Sequence, residues 1–460
     1  MKQAVVLIHG IGEQQPMDTV RRFVKAVLTP KAADEPAYWS KPVRMSELFE
    51  LRRLQSRGQP ATHFFEYYWA YNVSGTNIWD LAQWLFGLAT RPWRDIPPGA
   101  RALWLLSRLL LLTTVVFLLL GGGAIWKERV GSLSEFGAGS LLLTGILLLA
   151  QYLLVSYLGD AARYLSPRPR NIKLRQKIRS EGIRLLRELH ESNEFDRIVI
   201  VGHSLGSVIG YDIITHLWQE YHDRLPWSAL EEPLKAEIRQ CMKEQVSPQP
   251  VIREKLSRKA SDLQINGEGL DDFQKCQLAG WREQRHFGAP WRITDFITLG
   301  SPLTHASLLM AGSASDFIDR IRERELPTCL PQRDDKGFAF SAPQPCEVGE
   351  GKKYTPLTLH HAAPFAVTRW TNLYFPAALG LFGDFVGGPL RPVFGLGIKD
   401  VPVSTASGRG VTGRTLVAHT TYWRAGDDGK PEAHVKDRRV PALFALRRAL
   451  DLSNPAAYEV

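Results

Sequence analysis

Cysteine is scarce in this chain and poorly spaced for chemistry. The four present, Cys241, Cys276, Cys329 and Cys346, are far apart and form no C-x-x-C pair. That argues against a zinc site or a disulfide framework and for free thiols in a reducing compartment. Concentrated charge is lacking too. The 57 Lys and Arg against 47 Asp and Glu leave a formal charge of +10, but the cations are spread over many segments. No basic run alternates with aromatics as a nucleic-acid surface would require, so no nucleic-acid partner is expected. Neither internal repeats nor low-complexity tracts occur, which sets aside solenoids and disordered tails. No leader precedes the first apolar segment: Met1-Lys2-Gln3 runs directly into it, and the start of the chain is expected to stay in the cytosol. At 460 residues and 44% hydrophobic, the chain can bury one large core or two to three modest ones.

What is present is organised around residues 198–207. Ile198-Val199-Ile200-Val201 is an unbroken β-branched run, the mark of a parallel strand covered on both faces. It turns through Gly202-His203-Ser204-Leu205-Gly206 into a helix carrying Ile209, Ile213 and Ile214. A serine on a strand-to-helix turn is forced outward on a tight backbone, and the flanking glycines let strand and helix pass closely. The helix N-terminus behind it suits a developing negative charge.

The chain also contains two long uncharged runs, Leu109–Trp126 and Ala138–Gly159, each long enough to cross a bilayer. The link from Lys127 to Gly137 is short, so the pair reads as a transmembrane helical hairpin. Arg91, Arg94 and Arg101 precede it. Arg163, Arg168, Arg170, Lys173, Arg175, Lys177 and Arg179 follow it, against two cations in the link. The positive-inside rule then places both flanks on the cytoplasmic side, which is the inner membrane if the source is bacterial. The segment from Trp79 to Trp104 interleaves Trp and Arg, a composition suited to lipid headgroups.

Further segments read as strands: Ala4–Ile8 before His9-Gly10-Ile11-Gly12, His63–Ala70, Asp295–Leu299, and Ala366–Tyr374. Thr415–Ala418 leads into His419. Leu174–Glu191 has the spacing of an amphipathic helix, as has a stretch around Met17–Leu28. Residues 225–290 read as mostly helical, 30–62 as irregular and 325–360 as a long loop.

In Val5–Gly12, Ile198–Ser207, Phe296–Leu303, Thr368–Gly388 and Leu416–Trp423, which mark the core of the sheet, the sequence resembles the α/β-hydrolase superfamily, in its lipase- and esterase-like branch. The resemblance implies an α/β-hydrolase fold: a mostly parallel central sheet flanked by helices. A two-helix transmembrane hairpin and a helical cap-like insertion would interrupt it. The expected organisation is core 1–100, hairpin 101–160, core with the elbow 161–224, cap-like insertion 225–290 and core 291–460.

The resemblance further implies a triad in the chain order Ser, Asp, His, with Ser204 as nucleophile, Asp384 as orienting acid and His419 as base. His360, His361 and His434 are rivals for the base, and Asp400 and Asp316 for the acid. The backbone N–H groups of Ile11 and Leu205 are the expected oxyanion donors, and His9 is expected to pack rather than transfer protons. No metal or organic cofactor is called for. The expected partners are the bilayer and a lipid or other acyl-ester substrate. Alternatives are an acyltransferase or thioesterase on the same triad, or a silent membrane-tethered scaffold. Because active sites of open α/β sheets lie beyond the carboxyl strand ends, the hairpin is expected to leave from the rim that carries Ser204.

Overall fold

A computed structural model describes residues 1–11, 15–28, 36–42, 51–58, 60–72, 164–165, 169–224, 230–334, 337–342, 345–377, 383–384, 386–405, 416–424 and 440–459, with scattered residues between 86 and 112. The expected hairpin helices lie outside these residues, apart from Leu109, Leu111 and Leu112. Among the described residues, no helix is long and apolar enough to cross a membrane.

The centre is a nine-stranded sheet. Its strands are β1 (Lys2–Ile8), β2 (Tyr38–Pro42), β3 (Arg52–Ser56), β4 (Ala61–Tyr67), β5 (Arg197–His203), β6 (Ile293–Leu299), β11 (Arg369–Tyr374), β12 (Lys399–Ser404) and β13 (Val440–Pro441). They lie in the order β13-β12-β11-β6-β5-β1-β4-β3-β2. Every pairing from β4 to β13 is parallel; β3 joins β4, and β2 joins β3, antiparallel. Short strands β7 (Ala339–Ser341), β8 (Cys346–Gly349), β9 (Lys352–Tyr354) and β10 (Leu357–Leu359) form two small two-stranded sheets.

The unbroken apolar runs follow from cover on both faces. Ala4, Val6, Ile8, Ile198, Ile200 and Phe296 face one core, and Val5, Leu7, Val199, Val201, Ile297 and Leu299 face the other. The first face is covered by α2 (Pro169–Glu191) and α3 (Leu205–Tyr221). The second is covered by α1 (Asp18–Val27) and by Ala442–Leu450. The described part of the 225–290 region, from Leu230, contains helices Glu232–Lys243, Leu256–Asn266 and Leu270–His286. Leu256, Leu263, Phe273, Leu278 and Trp281 join the first core, so two of these helices belong to the layer beside α3.

Register gathers the carboxyl strand ends into one rim. Ile8 pairs with both Tyr67 and Gly202, His203 with Leu299, and Leu373 with Leu299. From Ile8 the chain turns to one neighbour, β4, and only later fills the other, β5; this is the switch point at which open α/β sheets place their sites.

Four expectations shift. The 30–62 region contains β2 and β3, and 325–360 contains β7–β10. The strand expected at His63–Ala70 starts at Ala61 and stops at Tyr67, which leaves Tyr68 and Trp69 to the rim. The approach to His419 is a 3-10 turn, Leu416–Thr420, and the strand beside β11 is β12, which contains Asp400. A polar Asn372–Asp400 pair across β11 and β12 hid that strand from an apolar pattern.

Candidate active site

Ser204 sits at φ 51° and ψ −128°, a conformation rare for any residue but glycine. The fold holds it there from several sides. Its N–H donates to the Leu299 carbonyl at 2.9 Å. Its own carbonyl accepts from Ser207 N at 2.9 Å and from Ser207 Oγ at 2.6 Å. Ser207 Oγ in turn meets Ser301 Oγ at 2.6 Å. The flanking glycines are required by contact. A Cβ on Gly202 would lie 2.5 Å from Ser207 Cα, and one on Gly206 would strike the Ile8 carbonyl oxygen. The helix therefore starts directly against the end of β1.

The loop after β1 closes over this turn. A Cβ on Gly10 would come within 2.8 Å of Ser204 Cβ, which places Gly10-Ile11 beside the serine. Ile11, half-buried, packs against the first core. Leu205 is the first residue of α3, and the leading N–H groups of a helix have no partner within it. The two expected oxyanion donors thus lie on segments that flank Ser204. His9 is fully buried, stacked on Trp69 at 5.2 Å, and bonded through Nδ1 to the Gly10 carbonyl at 2.8 Å. Burial lowers its pKa to about 4, so it is neutral and packs, as expected.

The acid and base come from two distant segments. His419, mostly buried, lies in the Leu416–Thr420 turn, and its Nδ1 donates to Asp384 Oδ2 at 2.9 Å. Asp384 is completely buried and fully engaged. Oδ1 accepts from Val386 N at 2.9 Å and Gly387 N at 3.0 Å, and Oδ2 also accepts from Tyr422 Oη at 2.7 Å. Burial pushes this carboxyl up, but the His419 charge and hydrogen bond, the Gly387 N–H and the Tyr422 hydroxyl outweigh it and hold the pKa near 2. Asp384 is therefore a carboxylate that orients a ring. Nδ1 is the ring nitrogen committed to Asp384, so any proton exchange with a further neighbour would run through Nε2.

The pair is tied to the elbow by His203, the residue before Ser204. His203 Nε2 donates to the His419 carbonyl at 2.8 Å, and the two rings lie 5.1 Å apart. Burial, then the neighbouring His419 charge, lowers the His203 pKa to about 3 and keeps it neutral. Gly300, at φ +57°, leaves room for all of this: a Cβ there would sit 2.6 Å from Asp384 Oδ2 and 3.0 Å from His419 Nδ1.

The rivals are engaged elsewhere. His360 Nε2 donates to the Gln332 carbonyl at 2.7 Å, and its Nδ1 accepts from Ala362 N at 3.1 Å. His361 is exposed, and His434 lies outside the described residues. Asp316 is exposed in the first turn of Ala314–Arg322, where it accepts from Gly312 N at 2.6 Å. Asp400 lies on β12 and binds main-chain N–H groups. Sequence reasoning missed the work of Tyr422 and the His203 link. Tyr422 stands three residues after His419, a spacing at which a turn brings both side chains to one carboxylate. Among the described residues, no group of three or more His, Cys, Asp and Glu is placed to hold a metal ion.

No protein-family model matches the chain, and no curated protein or solved structure matches it either.

Proposed function

We propose that the chain is a membrane-anchored serine hydrolase with an α/β-hydrolase core, cleaving carboxylic esters, with lipid esters as the substrate class. One observation carries the reading: a serine on a strained strand-to-helix turn is tied through its neighbour His203 to an imidazole bonded to a buried carboxylate.

In this mechanism Ser204 Oγ attacks the acyl carbonyl while Nε2 of His419 takes its proton. Asp384 holds the ring and stabilises its charged form. The N–H groups of Ile11 and Leu205 receive the oxyanion. His419 then protonates the leaving alcohol, and water, deprotonated by the same ring, releases the acyl group from Ser204. The chemistry asks for no metal.

The lipid assignment draws on the rim. In the sequence, runs 109–126 and 138–159 come after β4, whose carboxyl end lies on the rim that carries Ser204. Trp69 at that strand end donates Nε1–H to the His9 carbonyl at 2.9 Å. Ahead of the runs, Arg101 stacks on Trp93 at 4.6 Å and Arg108 on Trp104 at 3.9 Å. Leu105, Leu109 and Leu112 stand exposed beside them at helical spacing. Cations over indoles next to exposed leucines suit the headgroup layer of the leaflet facing the catalytic core.

The test is covalent. A fluorophosphonate should modify Ser204, with labelling absent in Ser204→Ala and weakened in His419→Ala. A lipophilic fluorophosphonate confined to bilayers should label faster than a water-soluble one. Labelling that survives Ser204→Ala ends the hydrolase reading, and equal labelling by both probes ends the lipid assignment.

A further inference from the structure

The acid of the pair does not stand on a strand. It precedes a strap, residues 386–391, that runs back across the rim, and the strap's far end is bonded at four points. Asn372 Nδ2 donates to the Gly388 carbonyl at 2.9 Å, and Thr304 Oγ1 donates to the Pro389 carbonyl at 3.1 Å. Asp400 Oδ1 accepts from Leu390 N at 2.9 Å, and Asp400 Oδ2 from Arg391 N at 2.9 Å. The two side chains that do most of this are themselves joined. Asn372 Nδ2 also donates to Asp400 Oδ1 at 2.7 Å, and Asn372 Oδ1 accepts from Thr298 Oγ1 at 2.9 Å. Between its ends the strap lies flat on Gly300, where a Cβ on Gly387 would meet Gly300 Cα at 2.5 Å.

We infer that Asn372 and Asp400 are positioning residues: a polar clamp between β11 and β12 that holds the strap and so fixes Asp384 against His419. Several features fit this role better than ordinary strand support. Neighbouring strands pair through their backbones and need no carboxylate between them. Asp400 instead spends both oxygens on strap N–H groups, at the start of the short helix Arg391–Phe394. Asn372 is fully buried and uses its amide on the strap and on Asp400, so its fork links strap, β12 and Thr298 on β6. A catalytic hydrogen bond misplaced by an ångström loses much of its effect, so a carboxylate on a loop needs such a support.

The test uses the full chain and two readouts. The first is the downfield NMR resonance of the His419 Nδ1 proton donated to Asp384, identified by its loss in Asp384→Ala. In Asp400→Asn, which keeps size but puts an NH2 group against a strap N–H, this resonance should move upfield or broaden away while unfolding stays cooperative. Asn372→Ala makes the same test if Asp400→Asn does not fold. The second is the rate of inactivation by a fluorophosphonate. It should fall about tenfold in Asp400→Asn, yet not fall further when Asp400→Asn is added to Asp384→Ala, because the clamp acts through Asp384. An unchanged resonance overturns the proposal. So does an equal loss of rate in both backgrounds, which would mark Asp400 as general support of the fold. The rate readout rests on the hydrolase reading and the resonance does not. A wild-type chain that resists the fluorophosphonate sinks that reading while the proton signal still decides the clamp.

Discussion

Two buried aspartates, at opposite ends of the same sheet, solve one electrostatic problem in opposite ways. At the amino end Asp295 meets two guanidiniums: Arg197 Nη2 at 2.7 Å and Arg369 Nη2 at 2.6 Å. Arg197 is wholly buried and also bonds Gln3, Thr294 and the Leu450 carbonyl, with its guanidinium 3.7 Å from the Tyr458 ring centre. At the carboxyl end Asp384 meets an imidazole and a phenol. Burial pushes both carboxyls up, and in both cases the partners win and the pKa is lowered. The difference lies in the partner. A guanidinium never gives up its proton, so the Asp295 cluster staples β5, β6, β11 and the C-terminal segment and can do nothing else. An imidazole can gain and lose a proton at neutral pH, so under the proposed function the same burial serves proton transfer.

Exchanging the charge at each end should break the comparison most visibly. Asp384→Asn should lower the rate of Ser204 acylation by about 10⁴-fold while the thermal transition moves little, since a neutral amide can still sit against His419. Asp295→Asn should do the reverse: a loss of about 3–5 kcal/mol in unfolding free energy, from guanidiniums left uncompensated, with the remaining folded protein reacting with the probe at the normal rate. Denaturant unfolding and active-site titration on both variants check the pair. A large stability loss in Asp384→Asn with no loss of rate would reverse the assignment of the two ends.

A third carboxylate shows what happens when burial outweighs the groups around it. Glu66, near the end of β4, is buried and accepts from Met17 N at 2.5 Å at the start of α1. Burial raises its pKa to about 7, only partly offset by the N–H groups of Met17 and Val20. The sign follows from proton counting. Between the ordinary carboxyl value and about 7 the folded state holds the extra proton, so stability falls as pH rises through this window and does not recover above it. The loss is at most about 3 kcal/mol, at 1.36 kcal/mol per pH unit. Glu66→Gln should therefore flatten the decline between pH 5 and pH 8, with a higher midpoint at pH 8 and little change at pH 5. Thermal scans at the two pH values check it, and a parallel decline in both proteins would remove Glu66 as the cause.

The sequence was legible where one residue type had one use. A β-branched run buried on both faces has little choice but an interior parallel strand, so β1, β5 and β6 were plain. The Gly-x-Ser-x-Gly turn was plain because small residues are forced by contact with Ile8 and Ser207. Asp384 and His419 were paired through chain order, and the structure joins them by a direct bond. What escaped was set by cross-chain polar pairing. Asn372 and Asp400 are separated by 28 residues and meet only through strand register, so β12 read as a connection. The 3-10 turn at His419 read as an extension of a strand because Leu416-Val417-Ala418 is apolar, and an apolar triplet fits either form. The amino-end staple was equally hidden, since Arg197, Asp295 and Arg369 lie near the starts of three different strands.

The finest contrast between the two ends concerns a tyrosine. Each aspartate cluster contains one: Tyr458, whose hydroxyl accepts from Arg369 Nη2 at 2.6 Å, and Tyr422, whose hydroxyl donates to Asp384 at 2.7 Å. Removing the Tyr422 hydroxyl leaves Asp384 with His419 and two backbone N–H groups, so the carboxylate stays ionised but its second oxygen bears on the imidazole alone. A hydrogen bond to a charged group contributes about 1.5–3 kcal/mol when lost in a buried site. Part of that is recovered here, because His419 can draw closer to the freed oxygen. Tyr422→Phe should therefore cost about 1–2 kcal/mol of stability and change the acylation rate by less than about tenfold. Tyr458→Phe should cost a similar amount of stability and leave the rate untouched, because its cluster has no proton to pass. A rate loss in Tyr422→Phe as large as that of Asp384→Asn would mean that the phenol, rather than the imidazole, sets the geometry of the acid.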